Sequence, residues 1–160
     1  MANIHHFDGF SVVDGDIKID LNLSRMDDNF NKAQFALDSA VMTSMIPFMP
    51  IEEGNFINET KSRSATLAGT GEVCAAAPPQ GRFLYEGKTM VDEKTGSPWA
   101  RKDAKKVLVS QYTGKTRARE NLQYTKSKHP KTQSHWFDAA KEQDEQSWIR
   151  TAKKVAGGGK

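Results

Sequence analysis

Four histidines, one cysteine, scattered hydroxyls and a dense run of cations are the groups in this 160-residue chain that could do chemistry. His5 and His6 adjoin, but no acidic or cysteine partners sit beside them at zinc-ligand spacing, and His129 and His135 are far along the chain. Serines and threonines are plentiful, yet none lies in a nucleophile elbow or triad context. Gly69-Thr70-Gly71 lacks both the spacing and the trailing Lys-Ser/Thr of a phosphate loop. The acidic residues of 1–60 are scattered rather than paired, which leaves a two-carboxylate hydrolase unsupported. The expectation is a protein that is not an enzyme and needs no cofactor or metal. Cys74 reads as a small buried residue in a strand; being alone, it makes no internal disulfide and fits a reducing cytoplasm.

The cations are the stronger lead. Arg101, Lys102, Lys105, Lys106, Lys115, Arg117, Arg119, Lys126, Lys128 and Lys131 share a stretch whose only acids are Asp103 and Glu120, with Tyr112 and Tyr124 interleaved. Phosphate contact needs little more than such a stretch, and it requires no reading of base sequence. A solvated loop has the same composition. Residues 1–60 hold three Lys/Arg against ten Asp/Glu, whereas residues 61–160 hold 20 Lys/Arg against ten Asp/Glu. That asymmetry suits either head-to-tail self-association or a face turned toward nucleic acid.

The elements that must carry these groups read as α+β. Phe10, Val12, Ile17 and Ile19 alternate around Asp14-Gly15-Asp16, so residues 1–22 are expected to form a hairpin or extended arm. Such an arm would add to a neighbour's sheet rather than to its own. A helix is expected over 24–46, capped by Ser24, with Asp27 and Asp28 in its first turn. Its stripe is Met26, Phe30, Ala33, Leu37, Ala40 and Val41; Phe35 and Met42 fall off it, and Pro47 and Pro50 end it. Glu52 to Ser64 is weakly helical, with Phe56 as anchor and Gly54 as a turn residue. Residues 65–77 read as one or two strands. Pro78-Pro79 breaks the chain, and Arg82-Phe83-Leu84-Tyr85 is a helical turn or edge stopped by Gly87.

Thr89 to Pro98 reads as a connection turning at Lys94-Thr95-Gly96, Lys105–Tyr112 as a strand, and 113–132 as a long loop with a short strand at 121–125. A last helix over about 134–155 places Phe137, Ala140, Asp144, Trp148, Ala152 and Val155 on one side, with Trp136 beside them and His135 at its start. Phe30, Leu37, Phe83, Tyr85, Trp136, Phe137 and Trp148 are the expected packing anchors. The domain reading is an arm at 1–22, one α+β domain at 23–155 and a flexible tail at 156–160. No segment is apolar enough for a membrane span, and no secretory signal is read at the start.

The order of these features resembles the minor capsid, or neck and tail-completion, proteins of tailed bacteriophages with long non-contractile tails. The likeness covers roughly residues 20–155. It lies in the striped helix ending in a Pro-rich break, the segment Glu52 to Thr60, the glycine-led run Gly71 to Ala77 into Pro78-Pro79 and Arg82-Phe83-Leu84-Tyr85-Glu86-Gly87, and His129-Pro130-Lys131-Thr132 leading to Trp136-Phe137-Asp138-Ala139-Ala140-Lys141. Pro79-Gln80-Gly81 departs from it, standing where an aromatic and an alanine are more usual. The resemblance implies a non-enzymatic virion component made in the bacterial cytoplasm. It implies a homo-oligomeric ring, hexameric or dodecameric, joining head-closure or connector proteins to the tail terminator around the DNA channel. Arg101, Lys102, Lys105, Lys106, Lys115, Arg117 and Arg119 would then face packaged DNA or a neighbouring subunit. A non-specific nucleic-acid-binding module using residues 101–131 is the alternative.

Overall fold

The computed structural model describes residues 5–99 and 103–157. In chain order they form β1 (Phe10–Asp14), β2 (Ile17–Leu21), α1 (Ser24–Met45), a 3-10 turn (Ile46–Phe48), α2 (Asn55–Leu67), α3 (Gly81–Glu86), β3 (Met90–Asp92), β4 (Lys106–Leu108), a second 3-10 turn (Val109–Gln111) and α4 (Trp136–Ala156). β1 pairs antiparallel with β2, and β3 with β4, as two separate two-stranded sheets. The fold is α+β, as the residue patterns predict. The chain divides into two compact units: Met1–Ser44 with Lys61–Cys74 and Ala140–Lys160, and Met45–Thr60 with Ala75–Ala139.

In the first unit, α1 begins one residue earlier than a Ser24 cap would require. The Leu23 carbonyl accepts the first helical N–H groups, from Met26 and Asp27, so Leu23 is the cap and Ser24 is the first helical residue. The Ser24 N–H is taken by Asn22 Oδ1 at 2.9 Å. The buried face of α1 also differs from the expected stripe. Ala33, Asp38, Val41 and Met42 are buried, Phe30 and Leu37 are half-buried, and Met26 is exposed. The helix is rotated because Asp38 has a task inside. Its Oδ2 accepts the N–H groups of Gly69 (2.8 Å) and Gly71 (3.1 Å), and its Oδ1 accepts from Gln34 Nε2 (2.7 Å).

Those bonds also explain why residues 65–77 are not strands. α2 runs through Leu67, and the glycines after it turn with φ of 90° and 82° to point their amides at one carboxylate. Cys74 accordingly lies half-buried in this loop, not in a strand, and its carbonyl accepts the Ser64 hydroxyl at 2.9 Å. Farther along the chain, Trp148 of α4 is buried and donates through Nε1 to Ser44 Oγ at 2.9 Å.

In the second unit Trp136 is the centre. It is fully buried, donates through Nε1 to the Ala75 carbonyl at 2.8 Å, and meets Tyr85 and Phe56 edge-on at centroid distances of 4.9 and 5.9 Å. Phe83, Tyr85 and Phe137 are half-buried. Gly87 ends α3 in the left-handed region (φ 67°), its N–H returning to the carbonyls of Leu84 and Phe83.

Between α3 and α4 the chain differs from its expected form. The connection at 89–98 contains β3, whose Asp92 carboxylate caps the following turn by accepting the N–H groups of Lys94 and Thr95. The strand at 105–112 is three residues long before it turns into a 3-10 segment, and the strand at 121–125 reduces to a single bridge, Lys88 to Asn121. The long loop is nevertheless tethered, with Leu122 N–H on the Gly87 carbonyl, Gln133 N–H on Phe48 and His135 N–H on Tyr85. His135 caps α4 through its carbonyl, and α4 extends to Ala156, one residue into the expected tail; residues 158–160 lie outside the described ones.

Candidate functional site

Two surfaces stand out. The first is the β1–β2 hairpin. Its register pairs Phe10 with Leu21, Val12 with Ile19 and Asp14 with Ile17, while Ser11 faces Asp20 and Val13 faces Lys18. Opposed residues in an antiparallel pair share a face. One face therefore collects Phe10, Val12, Ile17, Ile19 and Leu21, with Asp14 at its turn end; the other carries Ser11, Lys18 and Asp20 together with the exposed Val13. Every strand residue is exposed, and those five apolar side chains are between 43% and 65% accessible. On the polar face Asp20 accepts from Ser11 and pairs with Lys18 at 2.9 Å, and these bonds lower its pKa below the ordinary carboxylate value.

The hairpin is clamped at its root. Asp27 in the first turn of α1 accepts the Phe7 N–H at 2.6 Å and lies 3.2 Å from His6 Nδ1. Asn31 brackets His5, accepting its N–H at 3.3 Å and donating to its carbonyl at 3.1 Å. The rings of His5 and Phe7 tilt against Phe30 at 5.8 and 5.3 Å. The sequence offers no local signal for this clamp, because its partners are twenty or more residues apart.

The second surface is the basic segment. Lys105, Lys106, Lys115, Arg117, Arg119, Lys126, Lys128 and Lys131 are all exposed; Arg101 and Lys102 lie outside the described residues. Lys115, Arg117 and Arg119 alternate with half-buried Thr116 and Ala118, so their side chains leave one side of the loop. Thr116 fixes that alternation by donating its hydroxyl to the Gly96 carbonyl at 2.6 Å and accepting the Ala118 N–H at 3.1 Å. Lys105 lies 3.4 Å from Glu93. Such an array supplies positive charge at a surface, which is sufficient for phosphate contact.

The histidines are not brought together. His129 Nδ1 faces the Met49 carbonyl at 2.9 Å, and His135 lies 3.5 Å from Glu86 and 3.6 Å from Asp138. Among the described residues no three His, Cys, Asp or Glu side chains are placed to hold a metal ion. No helix among them is long and apolar enough to cross a membrane.

A groove of about 370 Å³ in the second unit is lined by residues 50–56, Gln80, Leu84 and 122–125, and no histidine, cysteine or lysine faces it. Tyr124 in its wall donates to the Leu84 carbonyl, and burial raises its pKa above the ordinary phenol value. The folded chain thus holds this proton more tightly than the unfolded chain. The stabilisation is complete below about pH 10 and is lost as pH rises through the raised value. Tyr124→Phe is expected to flatten the alkaline fall in stability, while costing about 1 kcal/mol at neutral pH for the lost hydrogen bond. Urea midpoints measured across the alkaline range test this; an unchanged slope refutes it.

No protein-family model matches the chain, and no curated protein or solved structure matches it either.

Proposed function

We propose that the chain is a non-enzymatic structural subunit of a tailed-phage virion, assembling as a ring at the head–tail junction. There it links the connector or head-closure proteins to the tail terminator around the DNA channel. The observation that carries the self-assembling part is the hairpin. A two-stranded ribbon is marginal in water by itself, and this one presents five large apolar side chains from a clamped root. A contiguous apolar face of that kind is the mark of an interaction surface. Support for the placement in a virion is the order of motifs from the striped helix to Trp136-Phe137-Asp138. The acidic hairpin and the basic loop are two unlike faces, as a heterologous ring contact needs.

The full chain is expected to sediment at several times its 17.8 kDa and to label a circular collar between head and tail in imaged particles. Labelling elsewhere in the particle, or none, refutes the placement. The exposed cations favour a second reading, non-specific duplex binding. That reading expects a small particle that shifts DNA, with log affinity falling steeply and linearly in log salt. Replacing Lys115, Arg117 and Arg119 together by Gln would then lower the salt slope by about three.

A further inference from the structure

The hairpin needs a cover, and charge narrows the choice. Residues 8–21 carry Asp8, Asp14, Asp16 and Asp20 against Lys18 alone. Two hairpins set face to face would each bring this excess of negative charge, so hairpin-to-hairpin pairing is disfavoured. A cover of opposite charge exists on the same chain. In the second unit an open, largely apolar groove of about 430 Å³ is lined by Ile46, Pro47, His129, Pro130 and Lys131. Lys131 lines it, Lys126 and Lys128 are exposed just before it in the chain, Lys128 donating to the Glu52 carbonyl, and residues 121–135 contain no acid. The groove is held open rather than collapsed: the His129 ring is fixed on the Met49 carbonyl, Thr132 Oγ1 donates to the His129 carbonyl at 2.7 Å, and Lys131 Nζ sits 5.5 Å from the centre of the Phe48 ring.

We infer that the apolar face of the β1–β2 hairpin docks into the Ile46–Pro47–His129–Pro130 groove of a second copy of this chain, with the hairpin's aspartates against the lysines on the groove's rim. The inference rests on the self-assembly part of the reading above and specifies its contact. Each copy gives a hairpin and receives one, so the contact is heterologous and propagates until a ring closes. The apolar face supplies affinity, and the charges supply polarity of docking and a weakening in salt.

Two variants of the full chain test it by sedimentation, with circular dichroism confirming that each folds. Val12→Ser with Ile19→Ser takes the central opposed pair out of the hairpin's docking face and keeps the groove. Pro130→Asp with Lys131→Glu spoils the groove and keeps the hairpin; should that variant misfold, Pro47→Asp with Lys126→Glu replaces it. Each alone is expected to lose self-association by about a hundredfold: the hairpin variant because two aliphatic side chains are no longer buried, the groove variant because a carboxylate is placed in the apolar groove and a cation is reversed. Mixed, they are expected to form a one-to-one pair and stop, because one sound hairpin meets one sound groove.

Several results overturn the inference. If the groove variant assembles like wild type, the hairpin docks elsewhere, and the ring reading survives. If the groove variant forms only symmetric dimers, hairpins pair with one another. Wild type that stays monomeric at every concentration, or that assembles only on added duplex DNA, removes the copy-to-copy contact altogether. Assembly through this contact in a protein imaged away from the head–tail junction would instead leave the inference standing and remove the placement.

Discussion

Trp136→Ala is expected to lower the stability of the chain by about 3–5 kcal/mol, the range for deleting a large buried aromatic. Trp136 has no accessible surface, and it joins three segments of the second unit that are distant in sequence: Ala75 through its indole N–H, Tyr85 of α3 and Phe56 of α2 through ring edges. Alanine leaves a cavity between them and an Ala75 carbonyl without its donor. The two costs add, because neighbouring rings held in edge-on contacts collapse only partly into the space. Trp136→Phe separates them. It keeps a ring and loses the N–H, so about 1–2 kcal/mol is expected. Urea titration followed by far-ultraviolet circular dichroism gives both values. An alanine variant within about 1 kcal/mol of wild type would mean that the second unit is not organised around this indole.

Asp38→Ala is the second large effect. Asp38 is 5% accessible, and its carboxylate takes the amides of Gly69 and Gly71 together with the Gln34 carboxamide. Bonds to a charged acceptor are stronger than neutral ones, and two backbone donors would be left unanswered. About 3 kcal/mol is expected to be lost. Asp38→Asn should lose less, since its one oxygen can keep the acceptor role of Oδ2 toward the two amides. The specific readout is amide exchange: Gly69 and Gly71 should exchange much faster in the alanine variant, ahead of global unfolding. Unchanged protection at both glycines would show that the carboxylate is not what holds the loop after α2.

These two residues mark where sequence reading succeeds and where it stops. The helices over α1 and α4 are legible because apolar residues recur at three and four and because Pro47 and Pro50 close the first. The hairpin is legible because Asp14-Gly15-Asp16 separates two alternating runs. α3 is legible from the glycine after Arg82-Phe83-Leu84-Tyr85. The loop after α2 is not, because its conformation answers to a carboxylate thirty-one residues earlier, and small residues alternating with Gly look like strand without that partner. The far end of α2 is hidden for a related reason. Thr66 is a weak helix former, yet here its hydroxyl bonds to the Arg63 carbonyl within the helix.

For the surfaces, composition locates the charge but not its display. The alternation of Lys115, Arg117 and Arg119 depends on Thr116 reaching Gly96, a contact across twenty residues. The clamp at the hairpin root joins residues 5–7 to Asp27, Phe30 and Asn31 and is equally non-local. Groove and hairpin become a pair only once their faces are known.

The order in which the two units draw on the chain bears on when this protein can finish folding. The first unit takes residues from Ala140 onward, which leave the ribosome after everything in the second unit has been made. Ser44 must therefore wait for Trp148, more than a hundred peptide bonds later, before that part of the core can close. A nascent chain would display its sticky ribbon early yet remain an unfinished building block. Completion of the fold is thus timed by translation itself, and fragments lacking the late helix are expected to be cleared or to aggregate.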